Sequence, residues 1–219
     1  MLFLHVTTKL PDAPRDDLLR ELGGSGYPML VFLDGDGTVL GEQLGERSVR
    51  RFNRALKGVR RVVALAKKEE LTRAERLERF FLECELGRLD WVDAEAAAKK
   101  LPKLEASERK QVVGALANLE YHYILDPPPK STDEIVIAGE KFAEMVREGR
   151  IPADKTLYEV FWGFQIFYAR DVEDPKVYER ALAETTKLWA GDAKKEKRLA
   201  QLRRELANLK VRAAGEKEE

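Results

Sequence analysis

The chain has one cysteine, Cys84, in 219 residues. A lone thiol excludes an intramolecular disulfide, a Cys-x-x-Cys redox pair and a cysteine-built zinc site. Histidine is nearly as scarce, with only His5 and His122. A metal centre would need carboxylates, so no metal and no cofactor is expected. Net charge is missing too, because 39 basic and 39 acidic residues cancel. No global field gathers polyanions or membranes, and any nucleic-acid site would have to rest on a local patch. No apolar run approaches the roughly 20 residues that span a bilayer. Residues 1–6 are too short and uncharged for a secretory signal, so the expectation is a soluble, cytoplasmic protein with neither nucleic acid nor membrane as partner. Apolar side chains are plentiful at 44%, enough for one large or two small cores. The 36% charged fraction implies long solvated helix faces.

The pattern changes character near residue 58. Before it come β-type runs broken by glycine; after it come amphipathic helical patterns broken by caps and prolines. A boundary is therefore expected between residues 57 and 70, giving domains 1–60 and 61–219. In the first, residues 2–8 favour a strand, Pro11 and Pro14 end it, and residues 16–22 read as two helical turns stopped by Gly23-Gly24. Residues 29–33 are continuously apolar, as in a strand buried on both faces. The turn Asp34-Gly35-Asp36-Gly37 leads to a second strand over 38–44, and tight Asp-Gly turns join antiparallel neighbours. Ser48 then caps a helix to residue 57 that buries Val49, Phe52 and Leu56. The order is β-α-β-β-α.

Everything further on reads as helix. Thr72-Arg73-Ala74-Glu75 is a capping box opening a helix that closes at Gly87. Asp90 caps the next, which stops at Pro102. Ser107 starts a third, ended by Pro127-Pro128-Pro129. A fourth spans about 132–148, a fifth about 153–170, a sixth begins with Pro175 in its first turn and runs to 190, and a seventh covers 192–212. Short connections favour antiparallel hairpins. The fold class is thus α+β, mostly α, with an antiparallel helical array. Thr72 and Ser107 lie 35 residues apart, near the roughly 34-residue tetratricopeptide period. The spacing then breaks down, and Lys99 stands where that repeat wants a small residue, so the array is only weakly tetratricopeptide-like.

Residues 26–34, the turn to Gly45 and the helix from Ser48 together resemble the C-terminal half of a thioredoxin-fold domain, over about a quarter of the chain. The resemblance implies a cis-proline at Pro28, a buried strand, a Gly-containing hairpin and a closing helix. It also implies a loop at Tyr27-Pro28 that offers backbone groups to an extended peptide. Pro28 could equally do no more than set the strand's entry angle. In that family the reactive cysteines sit at the N-terminus of a helix that would precede Met1. Losing that helix and its strand would leave ladder groups without partners, at roughly 1–3 kcal/mol for each buried one. Three remedies are open: residues 2–8 pair with 29–33, a second chain or partner lends a strand, or the reading frame continues upstream.

The remaining candidates favour packing. Cys84 shares an apolar face with Leu77, Phe80 and Phe81, where a buried thiol is inert. His5, in an apolar strand whose Leu4 and Val6 point to the opposite face, is expected to be solvent-facing or hydrogen-bonded rather than a catalytic base, and His122, flanked by Tyr121 and Tyr123, shares no helical face with a nucleophile. The Asp34–Gly37 loop lacks the closing Glu of a calcium site, since position twelve is Gly45. Tyr158, Phe161, Trp162, Phe164, Phe167 and Tyr168 make one helix apolar nearly all round, as a central helix would be. Leu199, Leu202, Leu206 and Leu209 form a seam on a basic C-terminal helix, whose basic side is expected to stay solvated. The expected function is protein–protein interaction by a redox-inactive chain, with no catalytic residue and with Tyr27 and Pro28 as peptide-binding candidates. Homodimerisation through a sheet edge or the last helix is a further possibility. The alternative is the C-terminal part of a longer thiol–disulfide oxidoreductase.

Overall fold

The computed structural model describes residues 30–43 and 48–215. The chain is mostly helical, with a small two-stranded antiparallel sheet. It divides into two compact units, Met1–Glu105 and Ala106–Glu219.

In the first unit, β1 (Val31–Leu33) pairs with β2 (Val39–Glu42), Phe32 lying opposite Gly41, with an irregularity between Phe32 and Leu33. The turn is built by its aspartates. Asp34 Oδ1 accepts from the backbone N–H groups of Asp36 and Thr38, and Asp36 Oδ1 accepts from the Thr38 N–H and hydroxyl. Only Phe32 of β1 is buried, Val31 and Leu33 being half-buried. The strand is therefore not covered on both faces to the extent its unbroken apolar run suggested. The outer edge of β2 meets the end of a later helix: the Glu42 N–H donates to the Leu86 carbonyl at 2.8 Å and Arg88 Nη1 to the Leu40 carbonyl at 2.6 Å.

Helix α1 (Val49–Ala66) is capped by Ser48 Oγ, which accepts from the Arg51 N–H. It runs nine residues past the expected stop at residue 57 and continues unbroken through the 60/61 boundary. The cause is a second apolar row. Ala55, Val59, Val62 and Leu65 are buried at helical spacing, whereas Val49, expected inside, is 79% exposed. Gly58 is no stop signal here, since it lies buried against Leu82 and Leu86. Phe32 stacks obliquely on Phe52 at 5.2 Å and joins Ala55, Val59, Val62 and Leu86 in this unit's core. Helix α2 (Arg73–Glu85) opens with the expected capping box between Thr72 and Glu75 and ends before Gly87, whose φ of +61° is the left-handed conformation that favours glycine. Helix α3 (Trp91–Lys99) is capped by Asp90.

The second unit is helical throughout its described residues: α4 (Ala106–Ile124), α5 (Thr132–Arg147), a short 3₁₀ turn (Lys155–Leu157), α6 (Tyr158–Asp171), α7 (Pro175–Leu188) and α8 (Ala193–Gly215). Ser131 and Glu134 form a capping box on α5, and Asp174 caps α7 with Pro175 in the first turn. Helix α6 is the central one. Phe161 and Trp162 are buried, Phe161 lies 4.9 Å from Phe142 of α5, and Phe142 stacks on Tyr121 of α4 at 5.3 Å. Gly139 lets α5 approach α6 so closely that a Cβ there would lie 2.2 Å from the Phe164 carbonyl oxygen. The leucine seam of α8 docks as expected, with Leu199, Leu202 and Leu209 buried. The Tyr178 hydroxyl donates to Glu205 Oε2 at 2.9 Å. The basic side of α8 is not wholly solvated, because Lys195, Lys210 and Arg212 pair with Glu159, Glu179 and Glu173.

Candidate functional site

Tyr27, Pro28 and His5 lie outside the described residues, so the loop singled out for peptide pairing has no structural account here. The described cis X–Pro bond is Asp126–Pro127. Cys84 is 5% exposed on the core face of α2. Burial, with the neighbouring Glu83 carboxylate second, pushes its thiol up to about 12. A thiol so protonated at neutral pH is a poor nucleophile. His122 is exposed and sits edge-on to Tyr121 at 5.2 Å. In the Asp34–Thr38 turn, the side-chain hydrogen bond with Asp34 and those from Thr38 hold Asp36 down to about 2. Among the described residues, no group of three His, Cys, Asp or Glu side chains is arranged to hold a metal ion, and no helix is long and apolar enough to cross a membrane.

The concave feature with a definable chemistry lies in the second unit. One face of the first turns of α4, Ala106, Arg109, Lys110, Val113 and Gly114, confronts the segment 149–153 and Tyr158 across an open cleft of about 590 Å³. That volume falls in the usual range for ligand clefts, about 300–1,000 Å³. Helical spacing explains the α4 wall: positions 106, 109, 110, 113 and 114 recur at three- and four-residue intervals and so share a face. Val113 is half-buried at the floor, and Arg109 and Lys110 are exposed at the rim. Among the described residues neither cation has an ion-pair or side-chain hydrogen-bond partner.

The opposite wall is held rigidly. Gly149, at φ +74°, ends α5, and the Arg150 N–H returns to the Met145 carbonyl at 2.7 Å. Arg150 pairs with Glu120 of α4 and with Glu148, so the wall is tied to α4 by charge as well as by backbone. The Ala153 N–H donates to the Gly114 carbonyl at 3.3 Å and the Asp154 N–H to Asn118 Oδ1 at 3.0 Å. Gly114 permits that approach, since a Cβ there would lie 2.9 Å from Ala153 Cβ. Pro152 is fully buried, and its carbonyl accepts from the Tyr158 hydroxyl at 3.1 Å. Burial, with Glu184 second, raises that phenol above the usual tyrosine value. The hydroxyl therefore stays protonated and engaged. Walls pinned at four points need little reordering when something binds between them.

Sequence reasoning missed this cleft because its second wall reads as the start of a helix at Ala153. The donors that would begin that helix are drawn instead to Gly114 and Asn118, far away in sequence. The available signal was the face of α4, where Arg109 and Lys110 occupy the positions that a docked helix fills with apolar residues. In comparisons with known proteins, no family model, no curated protein and no solved structure matches this chain.

Proposed function

We propose that the chain is a protein-interaction protein whose helical second unit receives a peptide segment of a partner in the α4 cleft. The observation that carries this reading is the cleft itself: an apolar lining, a wall held by hydrogen bonds and two cations without ion-pair partners among the described residues. The first unit is read as a thioredoxin-like half-domain without redox cysteines. Its support is the order of hairpin, Asp-Gly turn and closing helix from Ser48, and the peptide-pairing role of Tyr27 and Pro28 belongs to the same reading. Cys84, buried and protonated, supplies no thiolate for exchange.

A peptide array probed with the full chain tests the proposal. A subset of immobilised segments is expected to bind, and Val113→Arg, which fills the cleft from its floor, is expected to abolish their signal while leaving the thermal melting curve unchanged. Equal binding by the variant, or no bound segment at all, would overturn it.

A further inference from the structure

The geometry points to an acidic, extended peptide with one aliphatic anchor residue as the occupant of the α4 cleft, an inference that rests on the interaction reading above. Charge decides the class. Arg109 and Lys110 stand on adjacent positions of the same helix face, exposed and without ion-pair partners among the described residues. Four cations of this unit that reach a neighbouring segment are paired: Arg150 with Glu120, Lys195 with Glu159, Lys210 with Glu179 and Arg212 with Glu173. A pair left unsatisfied at the rim of a cleft is electrostatically complementary to carboxylates, which steer encounter and select against cationic competitors.

Shape decides the rest. The apolar lining is aliphatic, with Val113 on the α4 side and Ile151 and Pro152 on the opposite wall, and the lone aromatic lining residue, Tyr158, has its hydroxyl committed to the Pro152 carbonyl. Such a lining accepts a branched aliphatic side chain better than it stacks a planar base. The cleft is open to solvent, and in the proposed pose the anchor lies between the walls with its flanking carboxylates over Arg109 and Lys110.

Fluorescence anisotropy with the full chain and three labelled peptides tests this. Each peptide carries a central leucine, flanked by glutamate, glutamine or lysine. The glutamate peptide is expected to bind about tenfold more tightly than the glutamine peptide, and to weaken as salt rises from about 50 to about 500 mM because exposed pairs are screened. The double variant Arg109→Glu/Lys110→Glu, altered only at exposed positions, is expected to reverse the order of the glutamate and lysine peptides. If the glutamate and glutamine peptides bind equally, and Val113→Arg abolishes both, the acidic preference is wrong while the interaction reading stands. If none of the three binds, and the peptide array is also blank, both fall. If the lysine peptide is preferred by the unaltered chain, the charge argument is overturned outright.

Discussion

The two units build their cores from different materials. In the first, Phe32 of the hairpin packs on Phe52 and on Ala55, Val59 and Val62 along α1. In the second, large aromatics on consecutive helices interlock in a chain of ring contacts from Tyr121 to Phe142 to Phe161 to Trp162. Aromatic side chains bury more area per residue and pack with preferred ring geometry. The second unit has the extended aromatic core, and it carries the cleft. A binding site gains from rigid surroundings, because less has to be ordered when a ligand arrives. The contrast teaches that a small first core suffices where elements are held by hydrogen bonds at their ends, whereas the walls of a cleft depend on bulk behind them.

The sharpest way to break the contrast is to empty each core in turn. Phe142→Ala removes a ring that touches Tyr121, Phe161 and Phe164, and a loss of about 3–5 kcal/mol is expected in urea unfolding followed by tryptophan fluorescence. Phe32→Ala, whose ring meets Phe52 alone among the described aromatics, is expected to lose about 2–3 kcal/mol by circular dichroism. Equal losses would erase the distinction. Next comes Gly139→Ala. The obstacle is backbone, the Phe164 carbonyl, so α5 and α6 must separate, at an expected cost of about 3 kcal/mol. Gly87→Ala meets the movable carboxylate end of Glu42 and a φ of +61°, and about 1–2 kcal/mol is expected.

A smaller effect sharpens the comparison through pH. The Glu75 carboxyl is held down to about 2 from the ordinary 4.5, first by the hydrogen bond from Lys68 and then by the Thr72 N–H. Because the folded value lies below the unfolded one, the stabilisation is complete above pH 4.5 and is lost as pH falls toward 2. Melting temperature should drop across that window, and Glu75→Gln should flatten the drop; an unchanged slope would remove Glu75 from the account. Smallest of all is the expected signal in insulin reduction with dithiothreitol. Turnover above blank would contradict the buried, protonated state of Cys84.

Helix starts were legible wherever a side chain could close on its own backbone. Thr72 with Glu75, Asp90, Ser131 and the Asp174-Pro175 pair all act within three residues of themselves, and each opens a helix where the sequence places one. The end of α1 was not legible. Lys57, Gly58, Arg60 and Arg61 look like a linker, yet Gly58 is required small by Leu82 and Leu86, and Arg61 is anchored by two hydrogen bonds to Glu78 of α2. Helix α1 therefore runs across the expected boundary at residues 60 and 61, and the compact units are Met1–Glu105 and Ala106–Glu219. The cleft was hidden for the same reason. Its second wall takes its shape from Gly114 and Asn118, partners 36 or more residues away, and local propensity carries no trace of them.

The contact between Glu42 and Leu86 has a consequence for self-assembly. An unprotected β-edge is a template on which copies of a chain can add end to end and grow into fibres. Here the outward N–H of Glu42 and the outward carbonyl of Leu40 are already engaged by Leu86 and Arg88. Polymerisation from that side would first have to peel the last turn of α2 away from the hairpin, so this short sheet carries its own stopper.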